Sequence, residues 1–176
     1  MLSVQELRGL GAALPSSAFQ RQLGPFALIQ RPPSEASTAV LAPTRMAAPS
    51  EIEQGMLALL FEFEHLRVAT LPPLNATDRL RIGRRMDCDL VVDDASVSKM
   101  HAELRWNEAD QRCTVQDLGS TNGTFLNARS LGGREAVLRD GDILSVGNVQ
   151  FWYLLTRTLH ERLRVGEATG LGSRSG

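Results

Sequence analysis

From His65 to Leu155 the apolar residues fall mostly at every second position. His65-Leu66-Arg67-Val68-Ala69-Thr70 and Arg79-Leu80-Arg81-Ile82 alternate in this way around the turn material Pro72-Pro73-Leu74-Asn75. His101 to Asn107 places Ala102, Leu104 and Trp106 on one face and Glu103, Arg105 and Asn107 on the other. Arg112 to Leu118 pairs with that run across Glu108-Ala109-Asp110-Gln111. Leu90-Val91-Val92, Phe125-Leu126 and Ala136-Val137-Leu138 are shorter strands, and Asp140-Gly141 marks a turn. Ile143 to Val146 and Val149 to Leu155 form a hairpin across Gly147-Asn148, a two-residue turn of the type that takes positive φ. Short strands with turns about every 8–12 residues predict a mainly β fold, an antiparallel β-sandwich.

Before His65 the period is helical or absent. Ser3 with Glu6 is a capping box, and Val4, Leu7, Leu10 and Leu14 recur at helical spacing until Pro15 stops them. Ser16 or Ser17 starts a second short helix through Phe19 and Leu23, ended by Gly24-Pro25. Phe26-Ala27-Leu28-Ile29 is an apolar cluster that docks on this protein or another. Ser50 with Glu53 opens a helix through Met56, Leu57 and Leu60 that packs as a lid on the sandwich, the alternative being an element that docks a partner. Thr158 to Leu163 forms one helical turn or two, and Gly166 to Gly176 is Gly/Ser-rich and frayed. The expected division is a helical segment over 1–30, a Pro/Ala/Ser-rich linker over 31–49, a helix over 50–65, the sandwich over 66–155, and a helical turn with a flexible tail over 156–176.

Composition narrows the function. A net charge of −1 over 176 residues supplies no field for nucleic acid or anionic membrane, and no apolar run is long enough to span a bilayer. Cys88 and Cys113 have neither CxxC spacing nor a nearby His, so no metal, no cofactor and no disulfide framework is expected, and the compartment is reducing and cytoplasmic. All eight prolines fall at or before Pro73, which marks a boundary there.

Two loops concentrate hydrogen-bonding side chains: Ser98-Lys99-Met100-His101 and Gly119-Ser120-Thr121-Asn122-Gly123-Thr124. Upstream, Leu80-Arg81-Ile82-Gly83-Arg84 is an alternating strand that ends in Gly-Arg. Such a surface suits a small anion with several acceptor oxygens, and a phosphate ester is the obvious candidate. Arg84 can make paired hydrogen bonds to phosphate; its alternative is a surface ion pair with Asp87 or Asp89. Lys99, the only Lys of the chain, adds a charge beside the Ser98 hydroxyl. Thr121 can donate a hydroxyl, and Asn122 can donate and accept along a peptide backbone. Gly83 and Gly123 are backbone-conformation positions, and Asn127 braces the second loop. No Ser/His/Asp constellation surrounds His101, so an enzyme is not expected.

Gly-Arg, Ser-x-x-His, Ser-Thr-Asn-Gly-Thr and Asp-Gly-Asp, in that order, resemble the forkhead-associated (FHA) domain family over roughly residues 66–155. The resemblance implies a β-sandwich that reads phosphothreonine in partner proteins. It implies that Ser98 touches the phosphate, that Asn122 grips the bound peptide's main chain, and that His101 holds the two loops together through its ring nitrogens. A small pocket for the threonine methyl would go with it. The expected partner is a phosphothreonine-containing protein, a Ser/Thr kinase or its substrate. Three or four charge-assisted hydrogen bonds of about 1.5–3 kcal/mol, less association costs, amount to roughly micromolar binding. The alternative is an FHA scaffold that recruits a partner into a multiprotein or secretion assembly independently of phosphate. Thr38 and Thr44 lie in the linker, where phosphorylation would allow self-association.

Overall fold

A computed structural model describes residues 2–32, 67–70 and 78–170. The helix expected over 50–65, most of the linker with Thr38 and Thr44, the turn at 72–75 and the tail beyond 170 lie outside the described residues.

The chain begins with β1 (Leu2–Ser3) and α1 (Val4–Ala13). Ser3 Oγ accepts from the Glu6 amide and Glu6 Oε2 accepts from the Ser3 amide, so both ends of the capping box are made. Pro15 precedes α2 (Ser16–Leu23), which ends at Gly24 with φ +82°. The apolar cluster that follows is β2 (Phe26–Gln30). Then come β3 (Arg67–Thr70), β4 (Arg79–Gly83), β5 (Leu90–Val91), β6 (Ala102–Asn107) and β7 (Arg112–Asp117). The remainder is β8 (Thr124–Leu126), β9 (Arg129–Ser130), β10 (Ala136–Leu138), β11 (Ile143–Val146), β12 (Val149–Leu155) and α3 (Thr156–Gly170).

Two sheets face each other, in the orders β1-β3-β2-β12-β11-β8-β9 and β10-β7-β6-β4-β5. All pairs are antiparallel except β4–β5, where the intervening loop curls round and sets Leu90 alongside Ile82 in parallel register. Between the sheets lie Leu28, Leu80, Ile82, Leu104, Val115, Leu144, Phe151 and Tyr153, all buried. Each such side chain contributes about 1.5–3 kcal/mol of burial. A second apolar layer covers the outer face of the larger sheet, where Val4, Leu7, Phe19, Leu23, Leu159 and Leu163 of the three described helices pack on Ala27, Ile29, Trp152 and Leu154.

β2 and β12 therefore bury both faces: Phe26 and Leu28 point into the sandwich, Ala27 and Ile29 into the helical layer. That double burial is why Phe26 to Ile29 reads as an unbroken apolar run rather than an alternating strand. Helix α3 is longer than the one or two turns expected and includes residues 166–170, expected to be frayed. Leu159 and Leu163 anchor it, Gly11 of α1 meets Leu163 closely, and His160 Nε2 donates to the Leu14 carbonyl.

Candidate functional site

The site lies at one end of the sandwich, where β4, β6 and β7 deliver three loops. At Gly83, the last residue of β4, a Cβ would stand 2.3 Å from the Lys99 carbonyl oxygen and 2.9 Å from Cys88 Sγ, so only glycine lets the strand approach this closely. Beyond it the Arg84 amide donates to Ser98 O at 3.0 Å and the Arg85 amide to Lys99 O at 3.1 Å. These bonds hold the loop after β4 against residues 98–99.

His101 is fully buried beneath the loops. Its Nδ1 accepts from the Ser98 amide at 3.0 Å, and its Nε2 bonds the Gly123 carbonyl oxygen at 2.9 Å. A carbonyl can only accept, so Nε2 carries the proton and the ring is the neutral Nε2–H tautomer. Both nitrogens are committed to loop backbone, which leaves no free lone pair for proton transfer.

The second loop is folded around Asp117. Its carboxylate accepts from the amides of Gly119 and Ser120, both at 2.9 Å, and from the hydroxyls of Ser120 and Thr124. Burial pushes this carboxyl up, but the bonds from Ser120, Thr124 and Gly119 outweigh it and hold Asp117 below its ordinary value. Ser120 Oγ also accepts from the Gly123 amide at 3.0 Å. The loop is thereby wound so that Ser120 turns inward while Thr121 and Asn122 stand exposed.

Cross-loop bonds fix the remaining groups. The Thr121 amide donates to Ser98 Oγ at 3.0 Å. Asn122 Nδ2 donates to the Ser96 carbonyl oxygen at 2.8 Å, and the Asn148 amide donates to Ser96 Oγ at 2.9 Å. Gly147 permits this last contact: a Cβ there would stand 2.5 Å from Ser96 O. The hairpin tip between β11 and β12 thus joins the site.

Arg84 and Lys99 are exposed, and neither side chain has an anionic partner among the described residues. The ion pair considered for Arg84 is taken elsewhere: Asp87 binds Arg85 at 2.6 Å, and Asp89 accepts from the Arg81 amide at 2.8 Å. Two exposed cations with no anionic partner among the described residues therefore lie on the loops that the bonds to Ser98 and Lys99 hold together. Among the described residues, Asn122 has one amide hydrogen committed and its carbonyl oxygen uncommitted.

Asn127 does not brace the second loop. With φ +49° it occupies the β8–β9 turn, donating from Nδ2 to Asp142 and accepting from the Ile143 amide, so it ties that turn to the start of β11. Ser96, Asp117 and Asn148 hold the site together and were not among the residues expected. Asp94-x-Ser96 and Asp117-x-Gly119 have the spacing at which an Asp caps backbone amides two residues on, which is the sequence signal for Ser96 and Asp117, whereas Asn148 reads from the sequence only as part of a hairpin turn.

The sequence model of the FHA domain matches residues 80–147. An oxoglutarate dehydrogenase inhibitor of Corynebacterium efficiens is 38% identical over 72 residues, which are 41% of this chain and 48% of that protein. The glycogen accumulation regulator GarA of Mycobacterium tuberculosis is likewise 38% identical over 72 residues, 41% of this chain and 42% of its own length. The chain thus spans about half the length of the curated relatives it matches. Among solved structures, an FHA domain from a study of phosphothreonine-dependent FHA domain interactions aligns with 32% identity and a TM-score of 0.44, over 50% of this chain and 83% of that domain. Residues 80–147 match the family model, so this part of the chain is a forkhead-associated domain.

Proposed function

We propose that this protein is a phosphothreonine-dependent protein–protein interaction module acting in Ser/Thr kinase signalling. Arg84 and Lys99 would supply charge to the phosphate, Ser98 and Thr121 hydroxyl donors, and Asn122 a grip on the peptide main chain. The observation that carries the reading is the pair of exposed cations, Arg84 and Lys99, with no counter-ion among the described residues, on the same cluster of loops as the Ser98 and Thr121 hydroxyls and next to the frame made by His101 and Asp117. Such preorganisation lowers the ordering cost of binding an anion. A non-enzymatic role is supported by the commitment of both His101 nitrogens, and by similarity to an inhibitor and to a regulator. No helix of the described residues is long and apolar enough to cross a membrane, which is compatible with a cytoplasmic module.

The test is fluorescence anisotropy with a degenerate phosphothreonine peptide library and its unphosphorylated twin, on wild type and Arg84→Ala. Binding near micromolar that needs both phosphate and Arg84 is expected. Binding indifferent to both would move the weight to a phosphate-independent scaffold.

A further inference from the structure

Of the asparagines in the chain only Asn122 is followed by glycine; Asn127 and Asn148, for instance, precede Ala128 and Val149. An Asn-Gly pair can close on itself. The glycine nitrogen bonds to the side-chain carbonyl carbon, the bond from that carbon to the amide nitrogen breaks, and ammonia leaves with the proton of the glycine nitrogen. Water then opens the five-membered imide to aspartate or isoaspartate. A Cβ on the following residue hinders the attack and glycine has none, so Asn122 is the reactive asparagine of this sequence.

The folded loop holds both nitrogens of that reaction. Gly123 N, the attacking atom, keeps its proton in a bond to Ser120 Oγ at 3.0 Å. Asn122 Nδ2, the leaving atom, donates to the Ser96 carbonyl oxygen at 2.8 Å. The Gly123 carbonyl oxygen accepts from His101 Nε2 at 2.9 Å and from the Gly147 amide at 3.2 Å, so the residue cannot turn without breaking both bonds. Ser120 is fixed in its turn, donating from its amide and its hydroxyl to Asp117. The Asn122 side chain is nevertheless exposed, within reach of the water that opens the imide.

The structure assigns Asn122–Gly123 as a site of spontaneous covalent modification that the loop frame holds latent. The chemistry is independent of what the loops bind. Conversion ends the contact with Ser96, because a carboxylate oxygen in place of Nδ2 brings no proton to the Ser96 carbonyl. Isoaspartate also adds a methylene to the main chain just before Gly123, whose carbonyl is held from two sides. Either product adds a negative charge to the loop cluster that carries Arg84 and Lys99. The loop is therefore modified when it opens, and the modified loop does not close in the same way.

The experiment incubates the full 176-residue chain at pH 8 and follows aspartate and isoaspartate at each asparagine by peptide-mapping mass spectrometry. In urea, conversion at Asn122 is expected to outrun that at every other asparagine. In native buffer it is expected to be slower by about tenfold or more, since the frame must open first. Ser120→Ala removes the acceptor of the Gly123 amide and is expected to raise the native rate about 3- to 10-fold, with a urea unfolding curve run beside it to show that the variant is folded. Equal wild-type rates in native buffer and in urea, or an unchanged rate in folded Ser120→Ala, would overturn the assignment. Should Ser120→Ala unfold, the wild-type ratio alone decides.

Discussion

Thr121 and Ser98, twenty-three positions apart, are joined by a hydrogen bond of 3.0 Å from the amide of one to the hydroxyl oxygen of the other. The bond takes a lone pair of Ser98 Oγ and leaves its proton to donate. One serine therefore clasps the loops and still has a hydroxyl proton to offer an acceptor. Ser98→Ala is expected to weaken phosphothreonine-peptide binding about 10- to 100-fold, because the Thr121 amide loses its acceptor together with the phosphate donor. Thr121→Val keeps the amide bond and should cost about tenfold or less. Isothermal titration of the two variants gives the order.

Gly83 sets how closely β4 approaches the Lys99 carbonyl. Gly83→Ala is expected to destabilise by about 1–3 kcal/mol through overpacking, and to weaken peptide binding by displacing Lys99. At Gly9 of α1 an added Cβ would have nothing within 4 Å, so Gly9→Ala should stabilise by about 0.5–1 kcal/mol and leave binding as it was. Urea unfolding beside peptide titration separates the two outcomes.

Two pH windows follow from the site. Asp117 is held below its ordinary value of 3.8, so its contribution to stability is fully present above that value and is lost as pH falls through the lower folded value. The urea midpoint should therefore lose this contribution only below about pH 4, and Asp117→Asn should lack that part of the acid decline. Peptide affinity should fall earlier, below about pH 6, as the phosphate loses its second charge. Affinity unchanged between pH 7.5 and pH 5 would count against a dianion-reading site.

Both cysteines are buried and free. Burial pushes the Cys113 thiol up to about 12, and burial together with Asp87 raises Cys88. A thiol reagent at pH 8 should label neither in the folded protein and both in urea, since the thiolate is the reactive form. Rapid labelling of Cys88 in the folded state would show that the loop over it opens.

Where one sheet face is solvated, strand positions were legible. Leu80, Ile82, Leu104 and Trp106 alternate with charged neighbours, and β4 and β6 run where the alternation lies. The Ser-x-x-His and Thr-Asn spacings likewise brought Ser98, His101, Thr121 and Asn122 to one end of the fold. Phe26 to Ile29 was not legible as a central strand, since burial on both faces erases the period-two signal. Ser96 was not legible as a hub because its partners, Asn122 and Asn148, lie 26 and 52 residues away. Asn127 was misplaced for the same reason: its αL turn and its bond to Asp142 depend on β11, not on the neighbouring loop.

The place of β2 has a consequence for solubility. β12 runs Val149–Leu155 with five consecutive apolar residues, Phe151 to Leu155, and β2 covers its edge from Phe26 to Gln30. Without β2 that edge would offer unpaired backbone groups on the most apolar strand of the sandwich, a template for another chain to add to. A strand drawn from well before the family-matched residues thus acts as a guard against intermolecular sheet growth.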